Sequence, residues 1–225
     1  MSAGQHGTHG MDGMAPISGR WAALKRAWML WHLADPGLRY LYDAPPPNEW
    51  VSVDCETTGL DTRRDEIIAI GAVRIVGDRV MTSEALSLLV KPSKAFTADS
   101  VRIHRLREQD VAQGLEPEEA MRQLLAFIGS RPLVGYFLEF DVAMINRVLF
   151  PMLGVGLPQP KIEISALFHD YKTRQQAGRV QNPHIDLRFD TLMAELELPR
   201  RDAHDALNDA VMAALAFIKL RHLSI

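Results

Sequence analysis

The 225-residue sequence predicts an α/β domain, a mixed β-sheet with helices packed on its faces. Three observations carry that expectation. Strand-like runs dominate from residue 50 to 90, helix and strand patterns alternate from 117 to 149, and the C-terminal stretch is helical. The hydrophobic share of 47% suits one domain of about 180 residues plus an extension, with no second domain required.

Residues 1–18 are rich in Gly, Ser, His and Met without periodicity and predict a disordered tail, in which His6 and His9 could in principle hold a metal. From Arg20 to Leu33 the apolar Trp21, Leu24, Trp28 and Trp31 recur at helical spacing. This amphipathic helix must dock on the chain's own core or on a partner; Arg20, Lys25 and Arg26 leave a membrane-surface role open as well. The run APPPNEW at 44–50 is a stiff linker, since three consecutive prolines sustain neither a helix nor a sheet interior. The division is therefore a tail (1–18), an amphipathic helix with its proline-rich linker (19–47), and a main domain (48–225).

Within that domain, 50–54, 66–76 and 79–90 read as strands, with GDR at 77–79 forming a tight hairpin turn. A helical pattern follows from Pro117 to Gly129, then a short apolar strand from Pro132 to Phe137. A helix over 140–149 carries Ala143, Ile145, Val148 and Leu149.

Charge and cysteine usage narrow the function classes. Lys plus Arg (25) against Asp plus Glu (28) gives a net charge of -3, so the chain is no broad polyanion binder and any nucleic-acid contact is local. Cys55 is the sole cysteine, which excludes an internal disulfide and a cysteine-rich zinc site and fits a reducing compartment. On a strand it points away from its neighbours Asp54 and Glu56 and reads as small core filler. The longest apolar runs, 28–33 and 211–218, fall far short of the roughly 18 to 20 residues of a membrane span. A cytoplasmic protein without a membrane span or signal peptide is expected.

Four carboxylates and one histidine stand out: Asp54 and Glu56 in VSVDCETTGLD, Asp141 in VGYFLEFDVAMINR, and His204 and Asp209 in AHDALNDAVMAAL. Asp54 and Glu56, two apart on a strand, project to one face about 7 Å apart along the backbone, where two acids repel unless they share cations. Thr57, Thr58 and Gly59 then turn the chain and offer N–H groups to a phosphate. Asp141 falls near a helix N-terminus, where a lone Asp is commonly a cap. Ala206, Ala210, Ala213, Phe217 and Leu220 form one apolar helical stripe with Asp209 at its border. His204 converges with Asp209 only from a loop before the helix. Asp205, four residues before Asp209, is the rival ligand and reads as a solvated first-turn acid.

DCETTGLD resembles the D-x-E-T-T-G motif of the DEDDh 3′–5′ exonucleases, the family of the bacterial DNA polymerase III proofreading epsilon subunit. Later segments match that family's motifs in order: VRIHRLREQDV at 101–111, the F-D that ends LVGYFLEFD, and HDALNDA for H-x4-D-A. The similarity spans about residues 48 to 220 and implies a ribonuclease H-like mixed sheet flanked by helices, with 48–225 as the exonuclease domain. It implies that Asp54, Glu56, Asp141 and Asp209 bind two divalent cations, Mg²⁺ or Mn²⁺, and that His204 is the general base. Thr57, Thr58, His104 and Phe140 would hold the terminal nucleotide. The reaction implied is hydrolysis of the last phosphodiester of a single-stranded 3′ end, DNA before RNA, with release of a nucleoside 5′-monophosphate in proofreading or repair. An exoribonuclease and a catalytically silent nucleic-acid-binding scaffold are the alternatives.

One departure concerns substrate handling. The family commonly carries His-Asn-Ala before the x-F-D, where this chain has Tyr136-Phe137-Leu138. These aromatics can stack on a base or pack in the core. Lys172, Arg174, Arg179 and Arg188 can track a phosphate backbone or form a solvated loop. A polymerase or other protein partner would engage residues 20–33.

Overall fold

The strand-forming runs after the proline linker assemble into one mixed sheet. The computed structural model describes residues 16–93, 111–176, 184–201 and 205–223. Its strands are β1 (Glu49–Thr57), β2 (Ile67–Val76), β3 (Arg79–Val80), β4 (Leu86–Leu89), β5 (Leu133–Gly135) and β6 (Lys161–Glu163). Among the described residues the order is β3-β2-β1-β5-β6, with β4 also paired to β2. β1 runs antiparallel to β2 and parallel to β5, and β5 parallel to β6.

Several boundaries differ from expectation. β1 continues three residues past 54, because Cys55 and Glu56 keep their ladder partners Ile70 and Ala69 before a register shift at Thr57. The expected strand 79–90 is broken: the polar run Thr82–Glu84 forms a 3₁₀ turn between β3 and β4. That turn takes up the residues that do not fit the β2 register, since Val80 pairs with Ile75 while Leu86 pairs with Ala72. The hairpin at 77–79 forms as expected, with Gly77 at φ 59°, a conformation that glycine adopts without steric cost.

Helices cover both sheet faces. α1 (Pro16–His32) precedes the sheet; α2 (Pro117–Ile128) and α3 (Leu138–Leu153) pack with Val51, Val53, Cys55, Ile70 and Leu133 on one face. α4 (Ile164–Gln176), α5 (Phe189–Glu195) and α6 (Ala206–Leu223) cover the other through Val73, Ile75, Val134, Phe168 and Phe217. α3 begins two residues before the expected 140 and extends to 153; Ile145 and Leu149 are buried, Val148 is half-buried and Ala143 is exposed. The segment expected as a basic loop starts inside α4. There Lys172 pairs with Glu195 at 2.7 Å, and Arg188 pairs with Asp186 at 2.6 Å. Arg179 lies outside the described residues.

The N-terminal helix forms, but its tryptophan stripe does not pack on the chain's own core. Trp21, Leu24, Trp28 and Trp31 are 70%, 62%, 57% and 82% exposed. The helix is held instead by Met29, Leu30 and the following Leu33, by Arg26 Nε donating to the Tyr42 carbonyl (3.0 Å), and by Ala34 N–H donating to the Leu153 carbonyl (3.0 Å). The tail 1–15 lies outside the described residues. No helix among them is long and apolar enough to cross a membrane.

Candidate active site

Strand alternation sets the site's floor. Val51, Val53 and Cys55 of β1 join the core on the α2–α3 face, so Asp54 and Glu56 leave from the other side. Their partners on β2 are Gly71 and Ala69. The small residue at 71 admits α6: a Cβ there would fall 2.2 Å from the Ala206 carbonyl carbon and the Leu207 nitrogen. The first turn of α6 therefore rests on the sheet backbone opposite Asp54, and Asp209 is carried to the pair. Asp54, Glu56 and Asp209 each offer one carboxylate oxygen, all within 4.8 Å of one another.

This set fits a hard divalent cation, which takes oxygen donors at about 2.0 to 2.6 Å and makes three converging carboxylates tolerable. Without a cation the charges oppose each other. Desolvation pushes Asp54 well above the usual carboxylate range, and repulsion from Asp141, Asp209, Glu56 and Asp205 adds to it.

Asp141 sits within the first turn of α3 and is 4% exposed. Its Oδ1 accepts the Cys55 N–H at 3.1 Å, which ties the helix to β1. Burial raises its pKa well above the ordinary value; the Cys55 N–H opposes that shift, and Glu163 and Glu56 add to it. Asp141 thus adjoins the three-oxygen cluster without being one of its members. The Cys55 thiol is buried and pushed up by desolvation and by the Asp141, Asp54 and Glu56 charges, which suits inert core filler.

Asp205 behaves as a cap. It is exposed, and its Oδ1 accepts the Asn208 N–H at 2.9 Å. α6 begins at Ala206; His204 and His104 lie outside the described residues. Thr57 and Thr58 build the turn after β1. Thr57 Oγ1 donates to the Gly59 carbonyl (2.7 Å), and Thr58 Oγ1 donates to Asp65 Oδ1 (3.1 Å). The expectation that this turn offers its N–H groups to a phosphate fails at Thr58, whose N–H donates to the Glu66 carbonyl at 2.9 Å. Phe140 is half-buried against the core beside Asp141.

Two contributors escaped the sequence reading. Glu163, at the end of β6, accepts the N–H groups of Phe137 (3.1 Å) and Leu138 (2.9 Å), as well as the Ser165 hydroxyl (2.8 Å). It thereby caps the helix that carries Asp141. Gly71 is the second, and an isolated glycine inside an apolar strand is a recognised sign of close backbone approach. Of the two readings of the aromatics, core packing does not hold for Phe137: it is 65% exposed, with left-handed backbone at φ 54° and ψ 33°. For a bulky residue that geometry costs on the order of 1–3 kcal/mol. Tyr136 is half-buried, its hydroxyl donating to the Leu187 carbonyl at 2.9 Å and its ring 4.7 Å from Phe189. A cleft of about 410 Å³, lined by Asp54, Asp209, Tyr136, Phe189, Arg188 and Arg200, opens onto the acids.

A mixed sheet covered on both faces, with strand and helix carboxylates converging at one site, is a ribonuclease H-like arrangement whose acids suit a divalent cation. The RNase T family model, described as "Exonuclease", matches residues 51–217, and the chain belongs to this family, the DEDD exonucleases. It is 30% identical over 172 residues to a DNA polymerase III subunit epsilon-like protein of Rhodobacter capsulatus, covering 76% of this chain and 23% of the relative. A PolC-type DNA polymerase III of Thermotoga maritima is 28% identical over 76% of this chain and 12% of its own length. The chain thus spans less than a quarter of these relatives. The DNA polymerase III subunit epsilon of Aquifex aeolicus is 25% identical over 76% of this chain and 79% of its own. Among solved structures, a zinc-bound E. coli exonuclease I complex with single-stranded DNA superposes with a TM-score of 0.63 at 17% identity, over 78% of this chain and 40% of that one. Exonuclease X with 5′-overhanging duplex DNA gives 0.59 at 22% identity, over 78% and 92%.

Proposed function

We propose that the chain is a 3′–5′ exonuclease that removes nucleoside 5′-monophosphates one at a time from a single-stranded 3′ end of DNA, in proofreading or repair. The observation that carries this reading is the convergence of the Asp54, Glu56 and Asp209 oxygens within 4.8 Å. Asp54 and Glu56 hold fixed positions through the β1–β2 ladder, Asp209 through the seat of α6, and Asp141 through Cys55 and the capped start of α3. Two divalent cations, Mg²⁺ or Mn²⁺, bound among these carboxylates would supply Lewis-acid stabilisation of the attacking and leaving oxygens.

His204 accepts the proton of the attacking water on a ring nitrogen, a task for which imidazole is the usual side chain. The water oxygen attacks phosphorus in line, and the 3′ oxygen of the penultimate nucleotide leaves, taking a proton from solvent to become the new 3′ hydroxyl. Thr57, Thr58, His104 and Phe140 surround the departing nucleotide. The half-buried Phe140 beside Asp141 supports its part in that placement.

The exposed Trp21, Leu24, Trp28 and Trp31 support docking of a polymerase or another protein on residues 20–33. The relatives' names, DNA polymerase III subunits and polymerases, favour DNA. A cytoplasmic location fits the lone, buried Cys55 thiol.

The test offers single-stranded DNA and RNA of one sequence, labelled at the 3′ or the 5′ end, to the purified protein with Mg²⁺, Mn²⁺ or EDTA. Metal-dependent release of mononucleotide from 3′-labelled DNA, faster than from RNA, is expected. Faster release from RNA would reassign the chain as an exoribonuclease. Tight binding without release from either polymer would reassign it as a scaffold.

A further inference from the structure

Phe137 stands where the resembled exonuclease motif has asparagine, and its backbone is left-handed. Asparagine tolerates that conformation; a bulky aromatic does not. Phe137 is nevertheless held in it, because Glu163 accepts its N–H and that of Leu138, and its own carbonyl accepts the Phe140 N–H at 2.9 Å. The ring gains no burial in return, being 65% exposed.

What lies behind the ring is rigid. Tyr136 meets Phe137 edge-on at 4.7 Å and 67°, and its other neighbour is Phe189. With its hydroxyl tethered to Leu187, Tyr136 forms a fixed wall of the cleft that opens on Asp54 and Asp209. The arginines lining that cleft are engaged: Arg188 with Asp186 and Arg200 with Asp190. Charge at the rim is thus largely balanced, and a strand entering there needs another source of affinity.

Resting on the exonuclease reading above, we propose that Phe137, backed by Tyr136, is a stacking platform for the base of the penultimate nucleotide of a single-stranded substrate. The departing nucleotide belongs beside Thr57, Thr58 and Phe140. Phe137 touches Tyr136, which walls the cleft opening on Asp54 and Asp209, and in this proposal the retained strand runs along that side. Stacking on an aromatic face is tolerant of sequence and needs no charge. Its geometry depends on the left-handed residue, which turns the ring outward just before α3.

Binding in EDTA tests this without turnover. Fluorescence anisotropy of the full chain compares an intact single-stranded DNA oligonucleotide with one that is abasic at the second position from the 3′ end. Phe137→Asn should weaken binding of the intact strand by about 5- to 150-fold and leave binding of the abasic strand at the wild-type level. Phe137→Trp should retain the intact-strand affinity. Because asparagine suits the backbone, the thermal midpoint of Phe137→Asn should equal or exceed that of the wild type. The proposal is overturned by equal discrimination between the two strands in wild type and Phe137→Asn, by a lowered midpoint that makes the ring structural, or by no wild-type binding of the intact strand. Turnover in Mg²⁺, measured on the same proteins, judges the exonuclease reading separately: binding lost through Phe137→Asn in a protein that never cleaves keeps the platform and removes the nuclease.

Discussion

Asp205 and Asp209 stand one helical turn apart and differ in what they touch. Asp209 faces Asp54 and Glu56, whereas Asp205 caps α6 through the Asn208 N–H. Asp205→Ala should therefore cost about 1 kcal/mol of stability with kcat retained, while Asp209→Asn should lower kcat by about 100-fold or more with the fold intact. Paired denaturation and turnover measurements check both. Glu163 acts one step back from the chemistry. Glu163→Ala leaves the Phe137 and Leu138 N–H groups without their carboxylate, at about 1–3 kcal/mol, and loosens the turn that holds Asp141. A lower denaturation midpoint together with a lower kcat is expected, and an unchanged kcat would separate Glu163 from the site. Asp54, Glu56 and Asp209 were legible in the sequence because two-residue spacing on a strand and a stripe on a helix fix side-chain direction, whereas Asp141 stood out only through the family resemblance. Glu163 was not, since it reaches α3 across 25 positions of chain and no local pattern records such a contact.

At the scale of elements, the site depends on how closely α6 approaches β2. Gly71→Ala places a methyl 2.2 Å from the backbone of Ala206 and Leu207, so the helix start must move. The expected result is a loss of about 1–3 kcal/mol from overpacking and a fall in kcat of about 100-fold, the penalty of roughly 1 Å of misplacement. Circular dichroism and turnover assays separate the two effects. Secondary structure was readable where periodicity was strong, as in β2, α2 and α6. It failed at 79–90, where an apolar pattern hides a change of register, and at α4 and α5, whose mixed polar sequences gave no stripe. The tryptophan face of α1 was visible as a pattern, but the core contact made by Met29, Leu30 and Leu33 was not. Amphipathicity marks a face that wants burial, and only the tertiary structure decides which face gets it.

Over the whole molecule, a sheet and helices stabilised by two apolar layers hold a strained cluster of acids. In the absence of cations, folded Asp54 and Asp141 keep their protons to higher pH than in the unfolded chain, where Asp titrates near 3.9. Their contribution to stability is complete below that value and is lost as pH rises through the raised folded values. Asp186 has the opposite sign. Its carboxylate is held well below the usual range by hydrogen bonds from Arg188 and Thr191, so its contribution is lost only as pH falls into that acid range. Above that range, the thermal midpoint of the cation-free protein should fall with rising pH, and Asp54→Asn should raise it and flatten the dependence. Mg²⁺ at about 100 times its Kd should add about 2.7 kcal/mol per site to the wild type and much less to Asp54→Asn; scanning calorimetry with and without Mg²⁺ checks both.

The most direct measurement follows a 5′-labelled single-stranded DNA oligonucleotide with Mg²⁺ over time, for the wild type beside Asp54→Asn. The wild type should give a ladder shortened from the 3′ end one nucleotide at a time, abolished by EDTA and at least about 100-fold slower in the variant. A ladder of equal rate from Asp54→Asn, or none from the wild type, would contradict a hydrolytic site built on Asp54, Glu56 and Asp209.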